Sequence, residues 1–348
     1  MVVDRCHIAV LGASGYTGAD AVRLALGHPG LRIAALGGDS KAGLALGEIF
    51  PHLGLYDLPK LQRVEDIAWD GIEAVIGCLP HRASEEILSR LPAHLKLVDL
   101  SADFRLRSAA VYQEWYGRAH SSPHLLGEAV YGLTEWARPA LPSARLVACP
   151  GCYPTAVLLA LLPLIEAGII VLDDVIIDAK SGVTGAGRSL KEANLFAEIG
   201  ESTHAYGIGA HRHMPEIEQQ LGLASGEDVR VNFTPHLLPM SRGELVTCHV
   251  RLAPGSTCAD ARNALDLALR QEAFVHLAPE GLSPATRHVR GSNHCLINVF
   301  ADRLPGRVIV IAAIDNLVKG SAGQAVQNLN LMLNLREGLG LEQAPLFP

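Results

Sequence analysis

The chain lacks any run of basic residues. Lys plus Arg is 29 against 36 Asp plus Glu, a net charge of −7 over 348 residues. A nucleic-acid binder needs a basic footprint that is missing here, so anions must be bound by local sites rather than by a global field. No uninterrupted apolar segment is long enough to span a bilayer. The most apolar stretch, VLLALLPLIEAGIIVL, is broken by Pro163 and Glu166 and reads as a buried helix followed by a strand. No basic n-region with a cleavage site precedes the first apolar strand, so no signal peptide is expected. The seven cysteines are odd in number, mostly scattered, and sit in a chain too large to need cross-links. Reduced thiols and a cytoplasmic location are the expectation. Repeats, low-complexity tracts and a Pro/Gly/Ser linker are also lacking, so the halves are expected to share an interface.

What is present is a globular α/β chain. Apolar residues are 49% and charged residues 19%, which suits a large core and about two domains. HIAVLGA, LRIAALGGD, EAVIGCLP and KLVDLSADFRL read as strands, with helical TGADAVRLALGHP and HRASEEILSRL between them. That alternation predicts an N-terminal, Rossmann-type parallel sheet covered on both faces. Beyond Cys152, PTAVLLALLPLIEAG predicts a helix with Pro154 in its first turn and Gly168 at its end. LPMSRGELVTCHVRLA and HCLINVFADRLPGRVIVIAAID predict long strands of a mixed or antiparallel sheet, and GQAVQNLNLMLNLREG a closing helix. The expected domains are 1–151 with 318–348, for a nucleotide, and 152–317, for substrate and oligomerisation.

GASGYTG places Gly12, Gly15 and Gly18 between the first strand and first helix, spaced GxxGxxG rather than GxGxxG. Glycines there let the backbone approach a pyrophosphate at a helix N-terminus, and Ser14 and Thr17 add hydroxyl donors. At the end of the second strand, Asp39 is placed to hold a ribose 2′-hydroxyl, as NAD requires, while Ser40 and Lys41 are placed to grip a 2′-phosphate, as NADP requires. The residues alone leave both open.

VACPGCYPTAV holds Cys149 and Cys152. A redox dithiol, half of a zinc site and a single nucleophile all fit such spacing. Cys152 falls at or just before a helix start, where free amides and the helix dipole stabilise a thiolate. Cys149 falls on the strand side. A thiolate nucleophile needs a proton partner, which HRHMPEI offers as His211 and His213, with Glu216 able to orient an imidazole. KSGVTGAGRS lies one residue from a P-loop, with Arg188 where the lysine belongs. It reads as a glycine-rich loop presenting amides and Arg188 to an anion, or as a plain turn. SADFRLR brings Arg105 and Arg107 past a strand end, where an arginine can clamp a phosphate or carboxylate.

GASGYTG, SADFRL, PGCYPTA, KSGVTGAGR, HRHMPEI and DNLVKGSAGQAVQN follow in that order over nearly the whole chain. Together they resemble the N-acetyl-γ-glutamyl-phosphate reductases, which are similar to aspartate-semialdehyde dehydrogenase and, more distantly, to glyceraldehyde-phosphate dehydrogenase. The resemblance implies a glyceraldehyde-phosphate-dehydrogenase-like fold and the NADPH-dependent reduction of N-acetyl-L-glutamyl 5-phosphate through a Cys152 thioester, in arginine biosynthesis. It implies His211 as acid/base, His213 and Glu216 as supporting residues, and Arg105 and Arg188 as contacts for the substrate's anionic groups. The cofactor set it implies is Gly12, Ser14, Gly15, Tyr16, Thr17, Gly18, Ser40, Lys41, Pro80, Ser181, Gly182 and Asn316. No metal, nucleic acid or membrane partner is expected, and a homodimer or homotetramer is. Cys149 departs from the asparagine usual in the family, and Asp39 from the basic loop that NADP favours. Two alternatives stand beside this reading: a reductase of a carrier-protein-bound aminoadipyl or glutamyl phosphate, and a nucleotide-sensing regulator on the same fold.

Overall fold

The computed structural model describes residues 5–347. The chain divides into two compact units. One runs to Pro150 and resumes over Ser321–Gln343; the other is Gly151–Gly320 with the tail from Ala344. The principal helices are α1 (Tyr16–Leu26), α2 (Ala83–Leu88), α3 (Ala109–Tyr116), α4 (Cys152–Glu166), α5 (Met214–Ser225), α6 (Cys258–Leu269) and α7 (Gly323–Met332).

The first unit is built on strands β1 (Cys6–Leu11), β2 (Leu31–Gly37), β3 (Leu61–Gln62), β4 (Ala74–Gly77), β5 (Lys96–Asp99), β6 (Val130–Tyr131) and β7 (Leu146–Ala148). They form one sheet in the order β3-β2-β1-β4-β5-β7-β6, and every pairing is parallel. Ile8, Ala9, Val10, Val75, Ile76 and Val98 have no exposure, as expected of strands covered on both faces. Strand order reverses between β1 and β4, and the loop that carries Gly12 leaves β1 at that switch point. Helix α7, from the far end of the chain, packs on α1 and β5. Its polar face is buried and largely paired: Gln324 and Asn328 both donate to the Gly132 carbonyl, at 3.0 and 2.7 Å, and Thr134 donates to Asn328 Oδ1 at 2.8 Å, while Gln324 Oε1 has no partner among the described residues.

The second unit carries β8 (Ile170–Gly182), β9 (His204–Ala205), β10 (Val231–Leu238), β11 (Glu244–Leu252), β12 (Val275–Leu277), β13 (Cys295–Ala301) and β14 (Arg307–Ile314). The sheet order is β12-β13-β14-β11-β8-β10-β9. It is mixed: β8 pairs parallel to β10 but antiparallel to β11, and β13 pairs parallel to β12 but antiparallel to β14. Residues alternate, so that Val246, Cys248 and Val250 of β11 are buried while Leu245, Thr247 and His249 are only half-buried. Helix α4 is apolar nearly all round and buried from Tyr153 to Leu164, because α5, α6 and the sheet surround it. Pro163 falls inside its last turns, and Gly168, at φ +66°, follows its end. Among the described residues no helix is long and apolar enough to cross a membrane.

Candidate active site

In the second unit, Gly151 is the N-cap of α4 and Cys152 its first helical residue. The thiol therefore meets unpaired amides and the positive end of the helix dipole. Pro215 opens α5, which puts Glu216 in the first turn, 2% exposed. From there Glu216 Oε1 accepts the Gly151 N–H at 2.8 Å, so this carboxylate fixes the start of the helix that bears Cys152. Opposite, Gly320 sits in a single π-helical turn, Val318–Ala322. A Cβ at Gly320 would lie 2.8 Å from the Cys152 Cβ, so only glycine lets this turn close on the cysteine. Asp315 holds the turn in place: its carboxylate accepts the N–H groups of Leu317, Val318 and Gly291.

His211 lies in an aromatic nest, with ring centroids 5.9 Å from Tyr153, 5.4 Å from Tyr206 and 4.8 Å from His213. Its Nδ1 accepts the His213 N–H at 3.1 Å, which leaves the ring proton on Nε2. Burial first, and then the Arg212 charge, lower its pKa to about 4. The ring is a neutral donor through Nε2 at working pH. The Tyr206 hydroxyl donates to the Tyr153 hydroxyl at 3.1 Å, and burial pushes both phenols up.

The remaining expected residues of this unit frame the loops. Ser181 and Gly182 end β8; the Ser181 hydroxyl donates to the Gly182 carbonyl at 3.1 Å, and a Cβ at Gly182 would press on the Met240 and Ser241 carbonyls at 2.8 Å. Asn316 clamps two loops, accepting the Gly243 N–H at 2.9 Å and donating to Thr184 at 3.0 Å. Arg188 is exposed beyond the short 3-10 turn Val183–Ala186, which makes no P-loop: β8 runs into that turn and not into a helix.

The first unit holds the glycine loop. Gly12 has φ +74°, and a Cβ there would lie 2.2 Å from the Cys78 carbonyl oxygen. A Cβ at Gly18 would lie 2.3 Å from the Gly12 oxygen, so Gly12 and Gly18 let loop, helix and β4 end close together. Gly15, the N-cap of α1, has only ordinary contact at 3.5 Å. Helix α1 has no acidic residue in its first turn, formed by Tyr16 and Thr17 with Gly18, and no side-chain cap. Its amides remain for an anion, which fits a dinucleotide pyrophosphate. Gly12→Ala is expected to cost about 2–4 kcal/mol of stability in chemical denaturation, from left-handed strain plus the clash on Cys78.

Pro80 lies between β4 and α2, and Ser40 and Lys41 are exposed in a 3-10 turn after β2. Asp39 Oδ1 accepts the Val64 N–H at 3.1 Å, so this carboxylate ties the β2 and β3 ends together. Arg105 is 7% exposed; it donates to the Cys149 carbonyl at 2.8 Å and the Leu100 carbonyl at 2.9 Å, and so braces the ends of β5 and β7. Cys149 is fully buried, with Asn328 Nδ2 3.5 Å from its sulfur, and no disulfide joins any of the seven cysteines.

Sequence reasoning passed over Glu244, Asp315, Tyr153, Tyr206 and Gly320. One signal was available: in ELVTCHVRL the glutamate has the parity of Val246 and Cys248, so it must face inward.

Comparison with known proteins agrees with this architecture. Residues 7–144 match the semialdehyde dehydrogenase NAD binding domain, and residues 152–316 match the semialdehyde dehydrogenase dimerisation domain. An N-acetyl-gamma-glutamyl-phosphate reductase of Rhodospirillum rubrum is 55% identical over 350 residues, covering 99% of each chain. A probable N-acetyl-gamma-glutamyl-phosphate reductase of rice, chloroplastic, is 55% identical over 99% of this chain and 83% of its own. Among solved structures, aspartate semialdehyde dehydrogenase II of Vibrio cholerae superposes with a TM-score of 0.71 at 16% identity, over 95% of this chain and 99% of that one. Aspartate semialdehyde dehydrogenase with NADP from Candida albicans gives 0.65 at 16% identity, over 97% and 100%. With a nicotinamide-nucleotide domain followed by a dimerisation domain, and half of its residues shared with such relatives end to end, the chain belongs to the semialdehyde dehydrogenase family, among the N-acetyl-gamma-glutamyl-phosphate reductases.

Proposed function

We propose that the chain reduces N-acetyl-L-glutamyl 5-phosphate to N-acetyl-L-glutamate 5-semialdehyde and phosphate, in arginine biosynthesis, with Cys152 as nucleophile. The observation that carries this is Cys152 at the start of α4, with Glu216 holding the N-cap amide and the π turn of Gly320 closing on its Cβ. The thiolate attacks the acyl carbon, the carbon–oxygen bond to phosphate breaks, and a thioester forms. NADPH supplies the hydride that takes the thioester to the aldehyde level. His211, neutral and protonated on Nε2, donates a hydrogen bond to the carbonyl oxygen as negative charge gathers there. His213 fixes the His211 tautomer through its N–H. Arg188 attracts the substrate's anionic groups from its exposed loop, and Arg105 shapes the end of the nucleotide sheet from within.

The test runs the reaction in reverse. N-acetyl-glutamate semialdehyde, phosphate and NADP⁺ are expected to give absorbance of the reduced nicotinamide. A signal only with the aminoadipate analogue, or with neither aldehyde, overturns the substrate assignment.

For the cofactor we propose NADP(H). Asp39 is committed to the Val64 amide, while Ser40 and Lys41 are exposed just beyond β2. Lys41→Ala is expected to raise the KM for NADPH by roughly tenfold and that for NADH much less, because the ammonium meets a 2′-phosphate only in the former. Equal losses, or a wild-type preference for NADH, make Asp39 the ribose ligand. The assembly proposed is a homodimer or a homotetramer, supported by the match to a dimerisation domain and by the half-open face of the mixed sheet. Analytical ultracentrifugation showing a monomer at micromolar concentration contradicts it.

A further inference from the structure

Glu244 opens β11, paired in the sheet with Ser181 of β8 on one side and Ile314 of β14 on the other. Its side chain has no solvent exposure, and neither carboxyl oxygen has a hydrogen-bond partner among the described residues. A carboxylate left so is heavily penalised unless a proton comes to it. Ile314, the strand partner of Glu244, and Cys152 both lie against Gly320: a Cβ there would stand 3.1 Å from Ile314 Cδ1 and 2.8 Å from the Cys152 Cβ, so the carboxyl opens on the side of the sheet where the thiol lies. We propose that Glu244 is the group that takes the proton from the Cys152 thiol, so that the nucleophile and a buried carboxyl share one proton.

The step balances without a further reactant. The S–H bond breaks and its proton goes to the Glu244 carboxylate. The sulfur electron pair forms the bond to the acyl carbon, and phosphate leaves with the pair of the broken carbon–oxygen bond. When the aldehyde departs, the released thiolate takes the proton back. The place of this step in the cycle rests on the acyl-phosphate reading; the proton transfer itself belongs to the resting protein.

His211 is poorly suited to the same task. Its Nδ1 is occupied by the His213 N–H, Nε2 already bears the proton, and burial resists a second one. The Glu244 carboxyl is the opposite case: burial raises its pKa far above the usual carboxylate range and toward that of a thiol, the nearby Cys152 thiol pulls it down, and the Asp315 charge raises it further. A pair that holds a single proton can then pass it from sulfur to oxygen. The groups facing the pair are Asp315 beyond β14, Tyr153 from α4, Tyr206 beyond β9, and Arg242, which stands 3.5 Å from Asp315.

The test is alkylation of Cys152 by iodoacetamide, followed by mass spectrometry from pH 6 to pH 9, in wild type and Glu244→Gln with no substrate present. Alkylation of the variant is expected to be about tenfold slower at pH 7, with the gap closing toward pH 9 as the thiol ionises unaided. Its kcat is expected to fall by roughly 10² at pH 7 with little change in KM. Equal or faster alkylation of Glu244→Gln at pH 7 overturns the proposal. Slowed alkylation in a protein that reduces no acyl phosphate would instead overturn the functional reading and leave the proton transfer standing. Where circular dichroism shows the variant unfolded, the wild type decides: Cys152 alkylation in a pH-stat at pH 7 is expected to release well under one proton, because Glu244 keeps it, and release of a full proton overturns the assignment.

Discussion

Cys152→Ser is expected to leave no measurable reduction of the acyl phosphate, while Cys149→Asn keeps most of the activity. The two cysteines are three residues apart but lie in different surroundings. Cys152 begins α4, where free amides and the dipole favour an anion, and Glu216 fixes the preceding amide. A serine in that place keeps the shape and loses the nucleophile: its hydroxyl stays protonated at neutral pH, and any acyl product is an ester instead of a thioester. Cys149 has no exposure and receives the Asn328 amide on its sulfur at 3.5 Å. An asparagine oxygen there is a better acceptor for that amide than a thiol, so the substitution suits its neighbours. Mass spectrometry of enzyme mixed with acyl phosphate and no NADPH is expected to find the acyl group on Cys152. An inactive Cys149→Asn protein that is folded, or a disulfide between residues 149 and 152 formed during turnover, contradicts a lone nucleophile.

The elements were legible where one period dominated. HIAVLGA and EAVIGCLP are largely apolar runs, and both form parallel strands within which no residue is exposed. The glycine loop was legible because its spacing follows from contacts: Gly12 against the Cys78 carbonyl and Gly18 against Gly12 are steric demands, not signs of looseness. Side-chain partners were harder to read. Glu216 is read from the sequence as able to orient an imidazole, and one of its carboxylate oxygens also holds the Gly151 amide, 65 residues away in the chain. Arg105 was expected as an anion clamp, and two of its N–H groups are spent on backbone carbonyls. Asn316 was expected beside a cofactor amide, and its own amide joins Gly243 to Thr184. In each case a buried strand end or loop had backbone groups to satisfy, and a long polar side chain nearby did so. Such pairings depend on tertiary approach, which no local pattern encodes. Glu244 is the clearest instance. Strand alternation points it inward, but only the fold brings its partner Ile314 and Cys152 together against Gly320.

His211→Asn is expected to lower kcat by roughly 10² and leave the affinity for the nicotinamide cofactor unchanged, since the ring lies among Tyr153, Tyr206 and Phe233 and not in the glycine loop. His213→Asn is expected to do less, because it is the backbone N–H of residue 213 that sets the tautomer, and the substitution preserves it. The pH dependence separates a neutral donor from an imidazolium. Burial holds His211 neutral down to about pH 4, well below an ordinary histidine. The wild-type kcat should then show no step near pH 6.5 that vanishes in His211→Asn. The stability sign follows from the same shift. The unfolded ring binds a proton as pH falls below about 6.5 while the folded ring does not, so the stability His211 contributes is present above that pH and is lost progressively toward pH 4. His211→Asn removes that share, and its unfolding free energy should fall less steeply than that of wild type between those limits. A kcat step near pH 6.5 that belongs to His211, or a variant with the same acid slope as wild type, would mean that the ring is charged in the folded protein, and the carbonyl oxygen would then face an imidazolium.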